Sequence, residues 1–296
     1  MDTISTSFLE HPVAFIFVVG IVGLLVGSFL NVVIYRLPIM LERQWHQYCE
    51  EVLREGQTEG QETAFDQPAF NLSVPRSHCS HCKRMVRSWE NIPVLSYLFL
   101  KGKCPGCHNK ISIRYPLVEI LTALLSMVVA WQFGFGWMAL GGLLLTWALI
   151  ALAFIDYDTQ LLPDVITIPL IWLGLLFSLA YVFVSPEVSI IGAVAGYLSL
   201  WSVYFVFKLA TGKEGMGFGD FKLLSALGAW LGWELLPVVI LLSSLAGAVL
   251  GLSMIALKKH NHDKPIPFGP YLAIAGWLAM LWGESMIDFY LSVSGL

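Results

Sequence analysis

Two aspartates, Asp156 and Asp220, lie at the edges of long apolar runs in this chain of 296 residues. A carboxylate at a membrane boundary is costly to desolvate, which makes it a functional candidate by default. Asp220 comes directly after Gly217-Phe218-Gly219. Because glycine has no Cβ atom and tolerates positive φ, we expect Gly217 and Gly219 to let another backbone segment approach Asp220 closely.

A close pair formed by Asp156 and Asp220 could catalyse hydrolysis. Two neighbouring carboxyl groups cannot both ionise easily, so one retains a proton. The ionised group can activate water while the protonated group donates to a scissile carbonyl oxygen, as in an aspartic protease. The sequence has no G-x-S-x-G, H-E-x-x-H or Walker motif that would compete for this role. On the residues alone, a proton path in a transporter or channel explains the pair equally well.

Asp158 and Asp164 are the other carboxylates near Asp156. Asp164 follows a proline and precedes an apolar segment, which favours a structural role as a helix N-cap. Asp158 is expected in a solvated turn. Asp156 directly follows the apolar run, where desolvation can tune its acidity, so it is the preferred partner of Asp220.

Four of the five cysteines form two C-x-x-C pairs, Cys79/Cys82 and Cys104/Cys107, separated by 21 residues. This spacing indicates a four-cysteine zinc site, in which each tight turn offers two thiolates to one tetrahedral metal. A site closed by four thiolates is structural rather than catalytic. Disulfides and unliganded thiols are the alternatives, and a reducing compartment would disfavour disulfides.

Three histidines and one further cysteine lie near or before these pairs. His78, His81 and His108 are interpreted as solvent-facing, although one of them could replace a thiolate. Cys49 is interpreted as an ordinary, partly buried thiol. The surrounding Glu/Gln-rich stretch of residues 40–70 has apolar residues at roughly helical spacing at Leu41, Trp45 and Tyr48, which predicts one amphipathic helix followed by a linker.

The composition is that of a membrane protein, with a mean hydropathy of +0.72 and only 13% charged residues. Eight apolar segments can be drawn, most of them near the ~20 residues that cross a bilayer. They cover residues 13–35, 116–134, 137–155, 165–184, 188–207, 222–233, 235–257 and 269–290. The sixth is short, so it is predicted as a tilted or partial span. The fold class is therefore an all-α polytopic membrane protein with about eight transmembrane helices.

The basic residues indicate the orientation of these segments. With eight spans, all 17 Lys and Arg fall in the loops after the first, third, fifth and seventh, and 11 of them lie in loop 36–114. The positive-inside rule assigns these loops to the cytoplasm. Both termini are then predicted on the periplasmic side of a bacterial inner membrane, and both aspartates on the cytoplasmic face.

Three domains follow from this arrangement. Residues 1–36 are predicted as the first transmembrane helix. Residues 37–115 are predicted as a cytoplasmic domain with the four-cysteine, zinc-ribbon-like insertion. Residues 116–296 are predicted as a seven-helix membrane domain that carries the aspartates.

Five motifs in order along the chain resemble the type IV prepilin peptidase family. Gly217-Phe218-Gly219-Asp220 followed by Lys222 is similar to the family signature G-x-G-D-x-K. The other four similar stretches are residues 27–38, 76–119, 156–164 and 266–270. The resemblance covers nearly the whole chain, and Cys49 with its neighbours is the part that matches no family motif.

The resemblance implies an enzyme with two activities. It implies cleavage of the basic leader from type IV prepilins or pseudopilins at the cytoplasmic face, after a glycine. It also implies methylation of the new N-terminal amine with S-adenosylmethionine, at residues that the sequence does not identify. Asp156 and Asp220 would be the catalytic pair, supported by Gly217, Gly219 and Lys222. The alternative is a proton-coupled transporter with an aspartate relay, for which we find no internal repeat.

Three further interpretations concern polar or turn residues. Asn31 is interpreted as a donor between helices, with lining of a cleft as the alternative. Residues 267–270 are interpreted as a helix-entry turn that could also close the active site. Asp158 and Glu214 are expected to attract the basic leader, an effect that screening keeps small.

Overall fold

The computed structural model describes residues 8, 10–55, 69–256 and 267–294. Its helices, numbered along the chain, are α1 (Pro12–Glu55), α2 (Leu95–Phe99), α3 (Arg114–Phe133), α4 (Trp137–Thr159), α5 (Asp164–Leu179), α6 (Pro186–Thr211), α7 (Phe218–Leu231), α8 (Leu236–Ala256) and α9 (Gly269–Ser294). One 3₁₀ turn, Ser88–Asn91, precedes α2. The described residues contain no strand, only two isolated β-bridges.

Each of the eight predicted apolar segments corresponds to a helix, so the predicted all-α membrane fold is confirmed, although the helix of the segment predicted at 165–184 ends at Leu179. Within the described ranges, six helices are long and apolar enough to cross a bilayer: α1, α3, α4, α6, α8 and α9. The remaining two, α5 and α7, have 16 and 14 residues. At 1.5 Å per residue, α7 is about 21 Å long, which is shorter than the ~30 Å hydrocarbon core.

Helix α1 is longer than predicted, because it continues from the membrane segment through Pro38 to Glu55. The predicted amphipathic helix therefore forms as an extension of α1 and not as a separate element. Trp45 and Tyr48 are exposed there, with ring centroids 6.3 Å apart. Cys49 is free and half-buried, as predicted. The predicted linker at 56–68 and the basic residues 258, 259 and 264 lie outside the described residues.

Helix α7 is the centre of the packing among residues 125–256 and 267–294. It contacts α5, α6, α8 and α9. Every residue from Asp220 to Leu231 is buried except Lys222, which is half-buried. A helix that is apolar on all sides and lies among other helices does not need the length of a lipid-facing span. The apolar segment predicted at 222–233 is short because α7 is surrounded by other helices and not by lipid.

Small residues allow α6 and α7 to pack closely. A Cβ atom on Gly192 or Gly228 would overlap the carbonyl group of the other residue. Two serines add hydrogen bonds across this contact: Ser189 Oγ donates to the Ala229 carbonyl at 2.6 Å, and Ser225 Oγ to the Ala193 carbonyl at 2.8 Å. Small residues and interhelical hydrogen bonds of this kind drive helix association in lipid, where apolar burial gives little net gain.

Residues Gly20–Leu124 form a separate compact unit. In this unit, Asn31 Nδ2 donates to the carbonyl of Tyr115 in α3 at 3.1 Å, which confirms its interpretation as an interhelical donor. The unit also contains the cysteine pairs. The other unit contains α4 to α9 and therefore both key aspartates.

Candidate active site

Asp156 lies in the last turn of α4 and is 5% exposed. Gln160 ends the helix in the left-handed conformation, with φ 56°, and its N–H donates to the Asp156 carbonyl at 2.8 Å. The Asp156 carboxylate accepts a hydrogen bond from the backbone N–H of Gly269, with N···Oδ2 at 2.9 Å. Gly269 is the first residue of α9, so Asp156 lies at the positive end of that helix.

Asp220 lies in the first turn of α7 and is 8% exposed. Helix α7 begins at Phe218, four residues before the apolar segment predicted at 222–233, so Asp220 lies inside the helix. Gly217 is the N-cap residue of α7, and a Cβ atom on it would lie 4.0 Å from Asp220 Oδ2. Acidic side chains in a first helical turn are stabilised by the free N–H groups there. Each of the two carboxyl groups is therefore at a helix N-terminus.

The fold brings Asp156 and Asp220 close enough to interact electrostatically. This proximity arises because α4 and α7 both pack against α9. Leu162 lies in the connection between α4 and α5, next to the glycine beside each aspartate. A Cβ on Gly219, which precedes Asp220, would be 2.6 Å from Leu162 Cβ. A Cβ on Gly269, which contacts Asp156, would be 3.2 Å from Leu162 Cδ1. Leu162 is 8% exposed and is an apolar residue of the site that the sequence motifs did not reveal.

The two glycines before Asp220 differ from the sequence prediction. Gly217 has φ −80°, a conformation open to other residues, and a Cβ there would meet only Asp220 Oδ2 at 4.0 Å. Gly219 does permit a close approach, but the group that approaches is the side chain of Leu162 and not a backbone segment. Positive φ is used at neither position, so the need for glycine is steric and confined to Gly219.

Lys222 forms an ion pair with Asp164, and its Nζ lies 2.7 Å from each carboxylate oxygen. The predicted N-cap role of Asp164 was wrong, since α5 begins at this residue, Pro163 is the N-cap, and the carboxylate binds Lys222. The pair joins the start of α5, which follows Asp156 in the chain, to the helix that carries Asp220. Lys222 thus links the segments around the two buried carboxylates without reaching either through a hydrogen bond in the described structure.

Asp158 and Glu214, the two acidic residues expected to attract a basic leader, are exposed. Asp158 is in the last turn of α4 and not in the turn that follows. Glu214 forms an ion pair with Lys208 at 2.7 Å, and this hydrogen bond lowers the pKa of Glu214. The expected attraction of a basic leader by Glu214 is therefore reduced, because Lys208 already compensates its charge.

Gly269 belongs to the stretch 267–270, which was interpreted as a helix-entry turn that could also close the active site. The turn interpretation holds, since α9 begins at Gly269. A Cβ on this residue would lie 2.6 Å from Asp156 Oδ2, so only glycine fits without displacing the carboxylate. The signal was present in the sequence as Pro267-Phe268-Gly269-Pro270, but its distance of 113 residues from Asp156 concealed the contact.

Both cysteine pairs lie on matching tight turns within the unit Gly20–Leu124. In the first, Lys83 N–H donates to the Cys79 carbonyl at 3.0 Å; in the second, His108 N–H donates to the Cys104 carbonyl at 2.8 Å. Lys83 and His108 have positive φ of 58° and 55°. An isolated β-bridge closes each turn, His78 with Met85 and Lys103 with Lys110.

The four sulfurs form one cluster, with every pair within 4.8 Å. The Cys79–Cys107 and Cys82–Cys104 distances are 3.8 and 3.9 Å. Tetrahedral zinc with Zn–S bonds of about 2.3 Å requires sulfurs about 3.8 Å apart, so these residues fit the metal. Backbone N–H groups of Cys82 and His81 lower the pKa of Cys79 to about 6, which favours the thiolate. The nearby histidines are exposed and are not members of the cluster, which agrees with their solvent-facing interpretation.

An ion pair between half-buried Arg84 and buried Glu90 lies beside the first cysteine turn. Arg84 donates to both carboxylate oxygens of Glu90, at 3.1 and 2.7 Å. Glu90 also accepts the backbone N–H of Arg87 at 2.9 Å. The hydrogen bonds from Arg84 lower the pKa of Glu90. A Cβ on Gly106, in the second turn, would lie 2.9 Å from Arg84 Cδ, so this arginine packs against both cysteine turns.

These features define a class, the helical membrane proteins with a paired-aspartate site and an appended cysteine module. Residues 21–133 match the family described as Bacterial Peptidase A24 N-terminal domain, and residues 143–252 match the Type IV leader peptidase family. The chain belongs to this family of leader peptidases.

Three relatives that align over 90% or more of their length share the name prepilin leader peptidase/N-methyltransferase. The chain is 57% identical over 286 residues to the prepilin leader peptidase/N-methyltransferase of Aeromonas hydrophila, which covers 96% of this chain and 97% of the relative. It is 55% identical over 286 residues to that of Pseudomonas aeruginosa, with 97% of both chains covered. For Neisseria gonorrhoeae the identity is 52% over 267 residues, with 90% of both chains covered. No solved structure matches the chain significantly. The relatives give no support to the transporter alternative.

Proposed function

We propose that this protein is a membrane aspartic peptidase that removes the basic leader of type IV prepilins or pseudopilins after a glycine, and then methylates the new N-terminus. The observation that carries the peptidase activity is the meeting of two buried carboxyl groups, Asp156 and Asp220, within one set of packed helices. The family and the names of the full-length relatives support the substrate class and the second activity.

The surroundings of the two carboxyl groups suggest how the proton is shared. Asp156 accepts a hydrogen bond from the first N–H of α9, and a charge-assisted bond of this kind stabilises a carboxylate. Asp220 has no cationic partner among the described residues, and the negative charge of Asp156 disfavours a second charge beside it. We therefore assign Asp156 as the ionised base and Asp220 as the protonated acid.

Hydrolysis then proceeds without a covalent enzyme intermediate. Asp156 takes a proton from water while the water oxygen attacks the scissile carbonyl carbon, and Asp220 donates its proton to the carbonyl oxygen. Collapse of the tetrahedral intermediate breaks the C–N bond, and the leaving nitrogen takes up the proton held by Asp156. Asp220 recovers its proton from the hydroxyl group that becomes the new carboxyl. The products are a leader with a C-terminal glycine and a shortened pilin with a free amine.

The proposed substrate fits the site by its position in the bilayer. A prepilin has a membrane helix preceded by a short basic leader, so its cleavage site lies at the cytoplasmic interface. The predicted orientation, with all 17 basic residues in loops on one side, puts the α4–α5 connection and the start of α7 on that face. The peptide bond and the carboxyl groups would then meet at a similar depth.

The cysteine module is assigned a structural role. Cys79, Cys82, Cys104 and Cys107 would hold one Zn²⁺, and a site closed by four thiolates leaves no position for a substrate. S-adenosylmethionine would supply the methyl group to the new N-terminal amine. The amine would accept the methyl group in its uncharged form, because only then does its nitrogen have a free lone pair.

The experiment is cleavage of a purified prepilin by the wild type, Asp156→Asn and Asp220→Asn, with the product N-terminus read by mass spectrometry. Asparagine keeps the size of the side chain but cannot transfer the proton, so both variants should leave the leader attached. Asp158→Asn is the matched control and should cleave normally. Normal cleavage by either site variant, with the fold retained, would overturn the assignment. A product heavier by one methyl group when the donor is supplied tests the second activity separately.

A further inference from the structure

A short apolar face projects from the cysteine module next to the start of α3. It consists of Ile92, Leu95, Leu98 and Phe99, which we call the 92–99 face. Their exposed fractions are 45%, 53%, 65% and 79%, and they increase along the segment. Leu95, Leu98 and Phe99 lie in the single turn of α2, and Ile92 follows the 3₁₀ turn that precedes it. Four large, exposed apolar side chains in one short segment indicate an interaction surface.

A hydrogen bond fixes this face at a defined height along α3. The backbone N–H of Val94 donates to Glu119 Oε2 at 2.7 Å. Val94 has φ 59°, a rare conformation for a β-branched residue, which this bond and the following turn of α2 hold in place. Glu119 is itself 8% exposed and belongs to a helix that is apolar and long enough to cross the membrane.

The position of Glu119 along α3 determines how deep the 92–99 face lies relative to the start of that helix. Helix α3 begins at Arg114, and Glu119 is five residues further on, about 7 Å along the helix axis. A segment bonded at that level lies beside the membrane-entering turns of α3 and not above them. Amphipathic interfacial helices bury their apolar side by a similar ~5–10 Å into the boundary between headgroups and acyl chains.

The charge of the surrounding module is complementary to an anionic membrane surface. Residues 71–118 contain one acidic residue, Glu90, and eight basic ones: Arg76, Lys83, Arg84, Arg87, Lys101, Lys103, Lys110 and Arg114. Basic residues next to an exposed apolar face are the signature of a segment that binds anionic lipid. A protein partner with an apolar surface would not account for the depth set by Val94 and Glu119.

We infer that the 92–99 face is a membrane-docking surface, which inserts between lipid headgroups and fixes the cysteine module on the bilayer next to α1 and α3. The basic residues of the module then contact the phosphates of anionic lipids. This lipid contact does not depend on the proposed function, because the experiment measures the depth of residue 99 in the bilayer and not enzyme activity.

The test uses the full-length protein in nanodiscs that contain phosphatidylglycerol, with the fluorescent residue dansylalanine in place of Phe99. A matched protein carries the label in place of Met85, which is 64% exposed on the first cysteine turn. The label at 99 should be quenched by nitroxide at carbon 5 of the lipid chain, and iodide in the buffer should quench it about threefold less than the label at 85. Zinc content is measured in both proteins as a check of folding.

Three outcomes decide the inference. Nitroxide quenching at 99 with protection from iodide supports it. Equal iodide quenching at 99 and 85 overturns it, because the face is then in water. Protection of position 99 from both quenchers also overturns it, because a protein surface then covers the face. A second variant, Phe99→Glu with the label at Leu98, should restore iodide quenching, whereas Phe99→Leu should not.

Discussion

The backbone N–H of Gly269 donates to Asp156 Oδ2 over 2.9 Å, which joins the first residue of α9 to the last turn of α4. This contact holds the carboxylate in position, and the hydrogen bond favours its ionised form. The helix end supplies a positive dipole and a donor, while the missing side chain leaves room for the carboxylate itself. In the proposed mechanism this carboxylate acts as the base, and the contact with Gly269 would hold it in place before substrate arrives.

Gly269→Ala should therefore lower peptidase activity strongly while the protein still folds. The added Cβ would lie 2.6 Å from Asp156 Oδ2, so the carboxylate must move and lose a charge-assisted hydrogen bond worth about 1.5–3 kcal/mol. If that whole loss falls on the transition state, kcat decreases by roughly 10- to 100-fold. Steady-state cleavage of a prepilin, alongside thermal unfolding, measures both effects.

Gly247→Ala is the matched control for this substitution. Gly247 lies in α8, and a Cβ there would be 3.5 Å from the Tyr271 ring, an ordinary contact. Its activity should equal that of the wild type. Equal losses in the two variants would mean that the effect comes from helix packing and not from the Asp156 contact.

The ion pair of Lys222 with Asp164 predicts a coupled effect on the site. Asp164→Asn and Lys222→Met should each slow cleavage by a few fold, and the double variant should be no slower than either single one, because both remove the same link. Stability should change little, since a pair with side chains 53% and 28% exposed contributes about 1 kcal/mol or less. A double-mutant cycle on kcat and on unfolding separates the two quantities.

The control for the ion pair is the more exposed pair of Lys208 with Glu214. Glu214→Gln breaks a bond of the same 2.7 Å length outside the aspartate site and should leave cleavage unchanged. Additive losses in the Asp164 and Lys222 variants would show that the two residues act separately, contrary to the geometry.

Metal analysis should find one zinc per chain, and Cys104→Ser should lose it. The S···S distances of 3.8 and 3.9 Å match four thiolates on one ion, so removal of one ligand opens a closed site. We expect cleavage to be largely retained, because the aspartates belong to the other compact unit. Cys49→Ser should retain zinc and both activities, since Cys49 is not part of the cluster. Zinc retained by Cys104→Ser would contradict the four-thiolate site, and loss of cleavage would contradict the independence of the aspartates from it.

The sequence predicted the features that depend on local pattern. The spacing of Cys79, Cys82, Cys104 and Cys107 was sufficient to predict their cluster, because each turn is encoded by neighbouring residues. Apolar runs of sufficient length likewise predicted the eight helices. The sixth was uncertain because α7 is surrounded by protein, and a buried helix does not require the length of a lipid-facing one.

The sequence did not predict contacts between distant segments. Gly269 and Leu162 reach the aspartate site only through the packing of α4, α7 and α9, and no local pattern marks them as partners. Asp164 has a good N-cap sequence, but Lys222 from α7 competes successfully for its carboxylate. In each case a long-range contact determined the role of the side chain.

The orientation of the chain gives the last prediction. Alkaline phosphatase, which is active only in the periplasm, should be active when fused after Phe135 or Phe183, in the connections that follow α3 and α5. It should be inactive when fused after Gln160 or Lys213, which follow α4 and α6, because the basic residues lie in loops of that side. Green fluorescent protein exported through the same route does not fold in the periplasm, so it should give the opposite pattern at all four sites. Phosphatase activity at 160 and 213 would reverse the orientation and move the aspartates to the periplasmic face, where the basic leader of a prepilin does not lie.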